Sequence, residues 1–115
     1  RNYGQILMPS QELVTYTAGL VQKDFYFEEI INELPLDEEL AIKELKRILA
    51  LRIAHMLDSD FEMLMQIFYR IDLNEQQVKE AIALAESPSE RLAELVLQRE
   101  FQKAETRIKY RQRKT

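Results

Sequence analysis

Apolar residues recur every three or four positions along most of this chain, and short polar side chains divide the pattern into helices. From 37 to about 57, Leu40, Ile42, Leu45, Ile48, Leu49, Ile53 and Met56 form a face too broad for a solvent-exposed helix. The next helix, 60–71, is apolar nearly all round (Phe61, Met63, Leu64, Met65, Ile67, Phe68, Ile71), which predicts a central position. A further helix from 74 to about 86 turns Val78, Ala81, Ile82 and Ala85 inward. The last runs from 88 to about 110 with a stripe of Leu92, Leu95, Val96, Phe101, Ala104 and Ile108. At 1.5 Å per residue it reaches roughly 35 Å, longer than its predecessors. Its stripe persists into the basic end, which should therefore lie against residues 1–23 or against another subunit.

The starts of these helices are marked chemically. Asp37 follows Pro35, and Ser59-Asp60-Phe61-Glu62 has the spacing of a capping box. Asn74-Glu75-Gln76-Gln77 repeats that spacing with an amide, and Ser87-Pro88-Ser89-Glu90 places proline at the first helical position. Each short polar side chain can accept a backbone N–H that the first turn leaves without a partner. Leu73 and Val78 have the arrangement of a hydrophobic staple around the Asn74 cap.

The N-terminal third reads less clearly. Val14, Tyr16, Ala18 and Leu20 alternate as in a strand, while Leu13, Thr17, Leu20 and Val21 suit a helix face. No partner strand is visible, so a short helix from about Ser10, flanked by irregular chain, is expected. Asp24 can cap a short helix through Leu34 whose inward stripe is Phe27, Ile30, Ile31 and Leu34, ended by Pro35. The sum is an all-α protein: a compact orthogonal/antiparallel bundle of five to six helices with a long C-terminal helix. Residues 1–115 make one domain, with 1–23 its least defined segment and 107–115 a frayed basic tail.

Composition sharpens this reading by exclusion. One hundred and fifteen residues, 46% apolar and 31% charged, suit a single soluble domain. Two glycines and three prolines argue against a β-sandwich or barrel and leave no Gly-rich loop for phosphates. Cysteine is absent, which removes disulfides, thiolate metal sites and thiol nucleophiles and fits a cytoplasmic location. No apolar run approaches the roughly 20 residues of a membrane span, and no signal peptide is visible. The chain opens on Arg1 rather than methionine, which leaves room for native residues before it. Residues 1–100 carry 10 Lys/Arg against 19 Asp/Glu, whereas 101–115 carry six basic residues against Glu105 alone. An acidic body thus bears a basic end.

Catalytic chemistry finds little footing. His55 is the only histidine, with Asp58, Asp60 and Glu62 nearby, but acids before a helix start and a histidine near a helix end have ordinary structural roles. The Asp58-Ser59-Asp60 run fails as a calcium loop, since Met63 takes the place of the glycine and Tyr69 that of the bidentate Glu. Carboxylate pairs (Glu29 with Glu33, Glu62 with Asp58, Glu90 with Glu94) lack the Glu-x-x-His partners of a di-metal bundle, Arg52 standing three before His55. Ser10, Ser59, Ser87 and Ser89 all sit in cap or turn contexts, with no nucleophile elbow. No enzyme activity, cofactor, metal or small-molecule substrate is expected.

Two features point to nucleic acid. Residues 60–86 have the outline of a helix-turn-helix, with Leu73, Val78 and Ile82 at that motif's apolar spacing. Phe68 stands where a small residue usually lets the helices approach, and Asp72 takes the glycine position. The second helix would present Glu75, Gln76, Lys79, Glu80 and Glu86, a net negative surface. In the basic end, Arg107, Lys109, Arg111, Arg113 and Lys114 with Tyr110 interleaved suit phosphate contact and stacking on one base. The same cations also complement a helix C-terminus.

The stretch Asp60-Phe61 through Tyr69-Arg70-Ile71-Asp72, with Arg99, Gln102-Lys103, Arg107 and Tyr110, is similar to a set of small uncharacterised all-helical bacterial proteins. The resemblance covers roughly the last two-thirds of the chain, implies a bacterial, soluble, all-helical protein, and carries over no functional residue. The function expected is that of a non-enzymatic helical protein–protein interaction module, self-associating or binding a protein partner through the C-terminal helix. Its surface there would comprise Phe101, Ala104, Arg107, Ile108, Tyr110 and Arg111. The alternative is a nucleic-acid-binding protein using the basic C-terminal helix and the degenerate helix-turn-helix; no membrane role is expected.

Overall fold

Short polar side chains start three of the helices in the computed structural model, which describes residues 10–114. Asp37 Oδ1 accepts from the Leu40 N–H at 3.0 Å, Asp60 Oδ1 from Met63 at 3.3 Å and Asn74 Oδ1 from Gln77 at 2.9 Å. The elements are α1 (Ser10–Asp24), a 3-10 turn (Ile31–Glu33), α2 (Glu38–Ser59), α3 (Phe61–Arg70), α4 (Glu75–Leu84) and α5 (Pro88–Lys114). Strands are absent among the described residues. Ser59, expected within the cap of α3, is instead the last residue of α2; its hydroxyl donates to the His55 carbonyl at 2.8 Å.

Helices α2 and α5 form the heart of the molecule. α2 packs on α1, α3 and α5, and α5 packs on α1, α2 and α4. Three neighbours explain the breadth of the apolar face on α2, where Ala41, Leu45, Leu49, Ala50, Ile53 and Met56 are buried. Leu40, expected on that face, lies exposed. One continuous cluster joins Val21 of α1 and Phe25 just after it, Leu45 and Ile53 of α2, Leu64 and Phe68 of α3, Val78 of α4 and Leu92 and Val96 of α5. The 27 residues of α5 span about 40 Å, close to the 43 Å long axis of the molecule.

In the N-terminal third the helix expected from about Ser10 is present, and the one expected from Asp24 to Leu34 is not. Residues 10–24 form a full helix with Val14, Thr17, Ala18, Leu20 and Val21 buried; the irregular chain expected before it lies outside the described residues. Asp24 ends α1 rather than opening a helix to Leu34. The chain leaves α1 through a Schellman turn: Phe27 N–H reaches the Gln22 carbonyl at 3.0 Å while Tyr26 takes a left-handed φ of 60°. Only the 3-10 turn follows. Ile30 is buried and Phe27 and Leu34 pack against the core, while the side chain of Ile31 lies outside the described residues.

α3 ends in the same way. Leu73 N–H reaches the Phe68 carbonyl at 3.0 Å and Asp72 N–H the Tyr69 carbonyl at 3.1 Å, with Asp72 at φ 66°. Arginines from other helices close both turns. Arg52 Nη1 donates to the Phe25 carbonyl at 2.7 Å and Arg99 Nε to the Ile71 carbonyl at 3.0 Å.

Candidate interaction surface

The helix expected at the centre lies at the edge. α3 packs chiefly on α2, burying Leu64, Ile67 and Phe68. Residues 61, 65 and 69 are each four apart and form one row along the flank beside that buried face, with Met65 packed against the core. Phe61 in that row is 47% exposed and Tyr69 is 87% exposed, with Met65 half-buried between them. Met63, also exposed, points to the opposite flank of the helix. Beside this row runs a polar one, Glu62, Gln66 and Arg70, all exposed.

At the end of α3 the surface continues onto Tyr26, which is 57% exposed. The Arg70 guanidinium lies 5.8 Å from the Tyr26 ring and reaches its hydroxyl and the Asp24 carbonyl, each at 3.3 Å. The left-handed turn at Tyr26 is what swings this aromatic out of α1 and beside α3.

The C-terminal helix presents a different picture from the one its stripe suggested. Ala104 and Ile108 are fully buried, on the helix that α1 packs against. Phe101 is half-buried against the core and Arg107 is exposed. Tyr110 is largely exposed, and Arg111 is held by Glu12 of α1 at 2.6 Å. Of the two covers foreseen for this end, the chain itself supplies one. The remaining cations Lys109 and Arg113 face solvent, Lys103 lies 3.7 Å from Glu100, and the side chain of Lys114 lies outside the described residues.

Beneath the seam between α1 and α5 sits a polar group that the sequence reading missed. Glu100 is fully buried, with no donor to either carboxylate oxygen. Burial pushes its carboxyl up to about 8, and the hydrogen bond and negative charge of Asp24 push the same way, against the weaker pull of Lys103. A protonated Glu100 can donate to Asp24, which supplies the hydrogen that two ionised carboxylates would lack. Glu100 falls four residues after Val96 and four before Ala104, on the helix's own apolar stripe. That spacing is the signal that marks it as buried.

Other features carry less. A shallow cavity of about 330 Å³ between α2 and the start of α5 is floored by Ala50, Leu51 and Ala54 and rimmed by Lys43, Lys46 and Arg47. Two of those cations are already paired, Lys46 with Glu94 at 2.8 Å and Arg47 with Glu44 at 2.7 Å. Those hydrogen bonds hold both carboxyls below the ordinary range. His55 is exposed on α2, and among the described residues no three His, Asp or Glu side chains converge as metal ligands.

The helix-turn-helix outline is present in order, with Asp72 adopting the left-handed seat of the usual glycine. Its two helices pack on different partners, however, α3 on α2 and α4 on α5. The exposed side of α4 carries Glu75, Gln76, Lys79 and Glu80. No described helix is long and apolar enough to cross a membrane. No protein-family model, curated protein or solved structure matches the chain.

Proposed function

We propose that this protein is a non-enzymatic helical interaction module, an orthogonal/antiparallel bundle that presents the outer face of α3 to a protein surface. One observation carries the reading: α3 packs chiefly on α2, and its apolar surface continues past that contact onto exposed Phe61 and Tyr69. An apolar row left in water costs roughly 25 cal/mol for each Å² that a partner would cover. Contiguous exposed apolar surface bordered by polar groups is the usual mark of a contact site. The composition of this face fits as well. Tyrosine and arginine supply much of the binding energy at protein interfaces, and methionine adapts its shape to a partner.

The docking site thus moves from the C-terminal helix to α3, because α1 occupies the stripe on α5. A photo-crosslinking residue in place of Gln66, introduced in the native cells, tests the reading. A discrete adduct is expected that disappears when Tyr69→Glu is added and that the same probe at exposed Glu39 does not give. Absence of any adduct, or the same adducts from both positions, would contradict it.

A further inference from the structure

The two rows on the outer face of α3 are related by reversal. Read backwards, Phe61–Met65–Tyr69 is again aromatic, methionine, aromatic. Read backwards, Glu62–Gln66–Arg70 exchanges its acid for its base about a central amide. When two helices meet face to face in opposite directions across a two-fold axis, rows on the same side of the contact run side by side. Phe61 of one copy then stands opposite Tyr69 of the other, and Met65 opposite Met65. Glu62 stands beside Arg70. A parallel pairing, whose two-fold axis runs along the helices, would instead exchange the sides and set each polar row against the other copy's apolar row.

We propose that α3 pairs antiparallel with α3 of a second copy of this chain, with Glu62 of each copy facing Arg70 of the other. The inference rests on the reading of this face as a docking surface and names its occupant. Opposed helix dipoles favour the same orientation, and the acids at the start of α3, Asp58 and Asp60, add negative charge near the incoming Arg70. Arg70 retains donors for this contact, since its two bonds to Asp24 and Tyr26 are both 3.3 Å long and a guanidinium offers five N–H groups. Exposed Tyr26, beside Arg70, extends the surface on the side of the polar row.

The contact is small. The 10 residues of α3 make a rod about 15 Å long and about 10 Å wide, whose one face offers far less than the roughly 800 Å² per partner of a stable dimer. The pair should accordingly form at high concentration and separate on dilution.

The absence of native cysteine permits a direct test on the full chain. Under mild oxidation Met65→Cys should form a disulfide dimer, as should an equimolar mixture of Phe61→Cys and Tyr69→Cys chains. Phe61→Cys alone should not, because its two copies lie about 12 Å apart along the axis, beyond disulfide reach. In sedimentation, Glu62→Arg and Arg70→Glu should each weaken self-association roughly tenfold, two attractive pairs having become repulsive. The double variant should restore it. A monomer at every concentration, a Phe61→Cys self-dimer, or no rescue by the double variant would overturn the proposal. A Gln66 adduct to a different protein, with no homodimer, would overturn this pairing while leaving the docking reading standing.

Discussion

Arg52 of α2 donates a 2.7 Å hydrogen bond to the carbonyl of Phe25, and its guanidinium lies 4.1 Å from the centre of the Phe27 ring. One side chain thus satisfies a carbonyl left open at the end of α1 and covers the aromatic residue that follows the turn. Arg52→Ala is expected to cost about 2 kcal/mol, the range of a charged hydrogen bond that is partly buried. Arg52→Lys should recover only part, since an ammonium neither stacks flat nor offers a fork. Urea unfolding of the two variants checks both values.

Glu100 makes stability depend on pH in a direction opposite to that of most carboxylates. Its folded pKa of about 8 lies above the value of 4.5 for an unperturbed carboxyl. Between those limits the unfolded chain releases the proton while the folded chain keeps it, so this group's contribution falls as pH rises toward 8 and is largest below 4.5. The full swing is roughly 3–5 kcal/mol. Relative to wild type, Glu100→Gln should therefore flatten the pH profile of unfolding free energy across this window. A parallel pair of profiles would place the carboxyl in contact with solvent.

Asp72 holds a left-handed backbone at φ 66°, a conformation that costs an L-residue roughly 1–2 kcal/mol and glycine little. Asp72→Gly gives up only a 3.5 Å ion pair to Arg99 in which the carboxylate is exposed, worth well under about 1 kcal/mol. A net gain of about 0.5–1 kcal/mol is expected, read as a higher thermal midpoint.

The cap of α3 provides a local contrast. Asp60→Ala should cost about 1 kcal/mol through the lost acceptor for Met63. Ser59→Ala should stay within about 0.5 kcal/mol, because its hydroxyl only doubles onto the His55 carbonyl behind it. Equal costs would mean that Ser59 caps after all.

Phe61 and Phe68 separate the two sides of α3. Phe68 is 3% exposed, and Phe68→Ala should cost about 3–5 kcal/mol. Phe61→Ala should cost below about 1 kcal/mol in dilute solution. Chemical denaturation of the two variants side by side decides whether α3 has one buried face or two.

The starts of α2, α4 and α5 were legible in the sequence because a cap is a local arrangement: Asp37, Asn74 and Pro88 act within one turn of themselves. The end of α1 was not. Left-handed helix ends usually announce themselves with glycine, and here tyrosine occupies the seat, so Asp24 looked like a beginning. The position of α3 was misread for a different reason. An apolar residue that faces the core and one that faces solvent look alike in a sequence, and exposed Phe61 and Met63 swelled the buried count. The C-terminal stripe was read correctly as needing a cover, but which surface supplied it depended on a contact between residues about a hundred positions apart. The roles of Arg52, Arg70 and Arg99 were not legible because their acceptors are carbonyls at the ends of other helices, which leave no trace in spacing.

Hydroxyl-radical footprinting of the wild-type chain at low and at high concentration tests the central claim most directly. Phe61, Met65 and Tyr69 should be labelled readily in dilute protein and become protected on concentration, while Leu64 and Phe68 stay protected throughout. Protection of the Phe61–Tyr69 row at every dilution would place it inside the fold, and labelling that never falls would leave the face without the second copy.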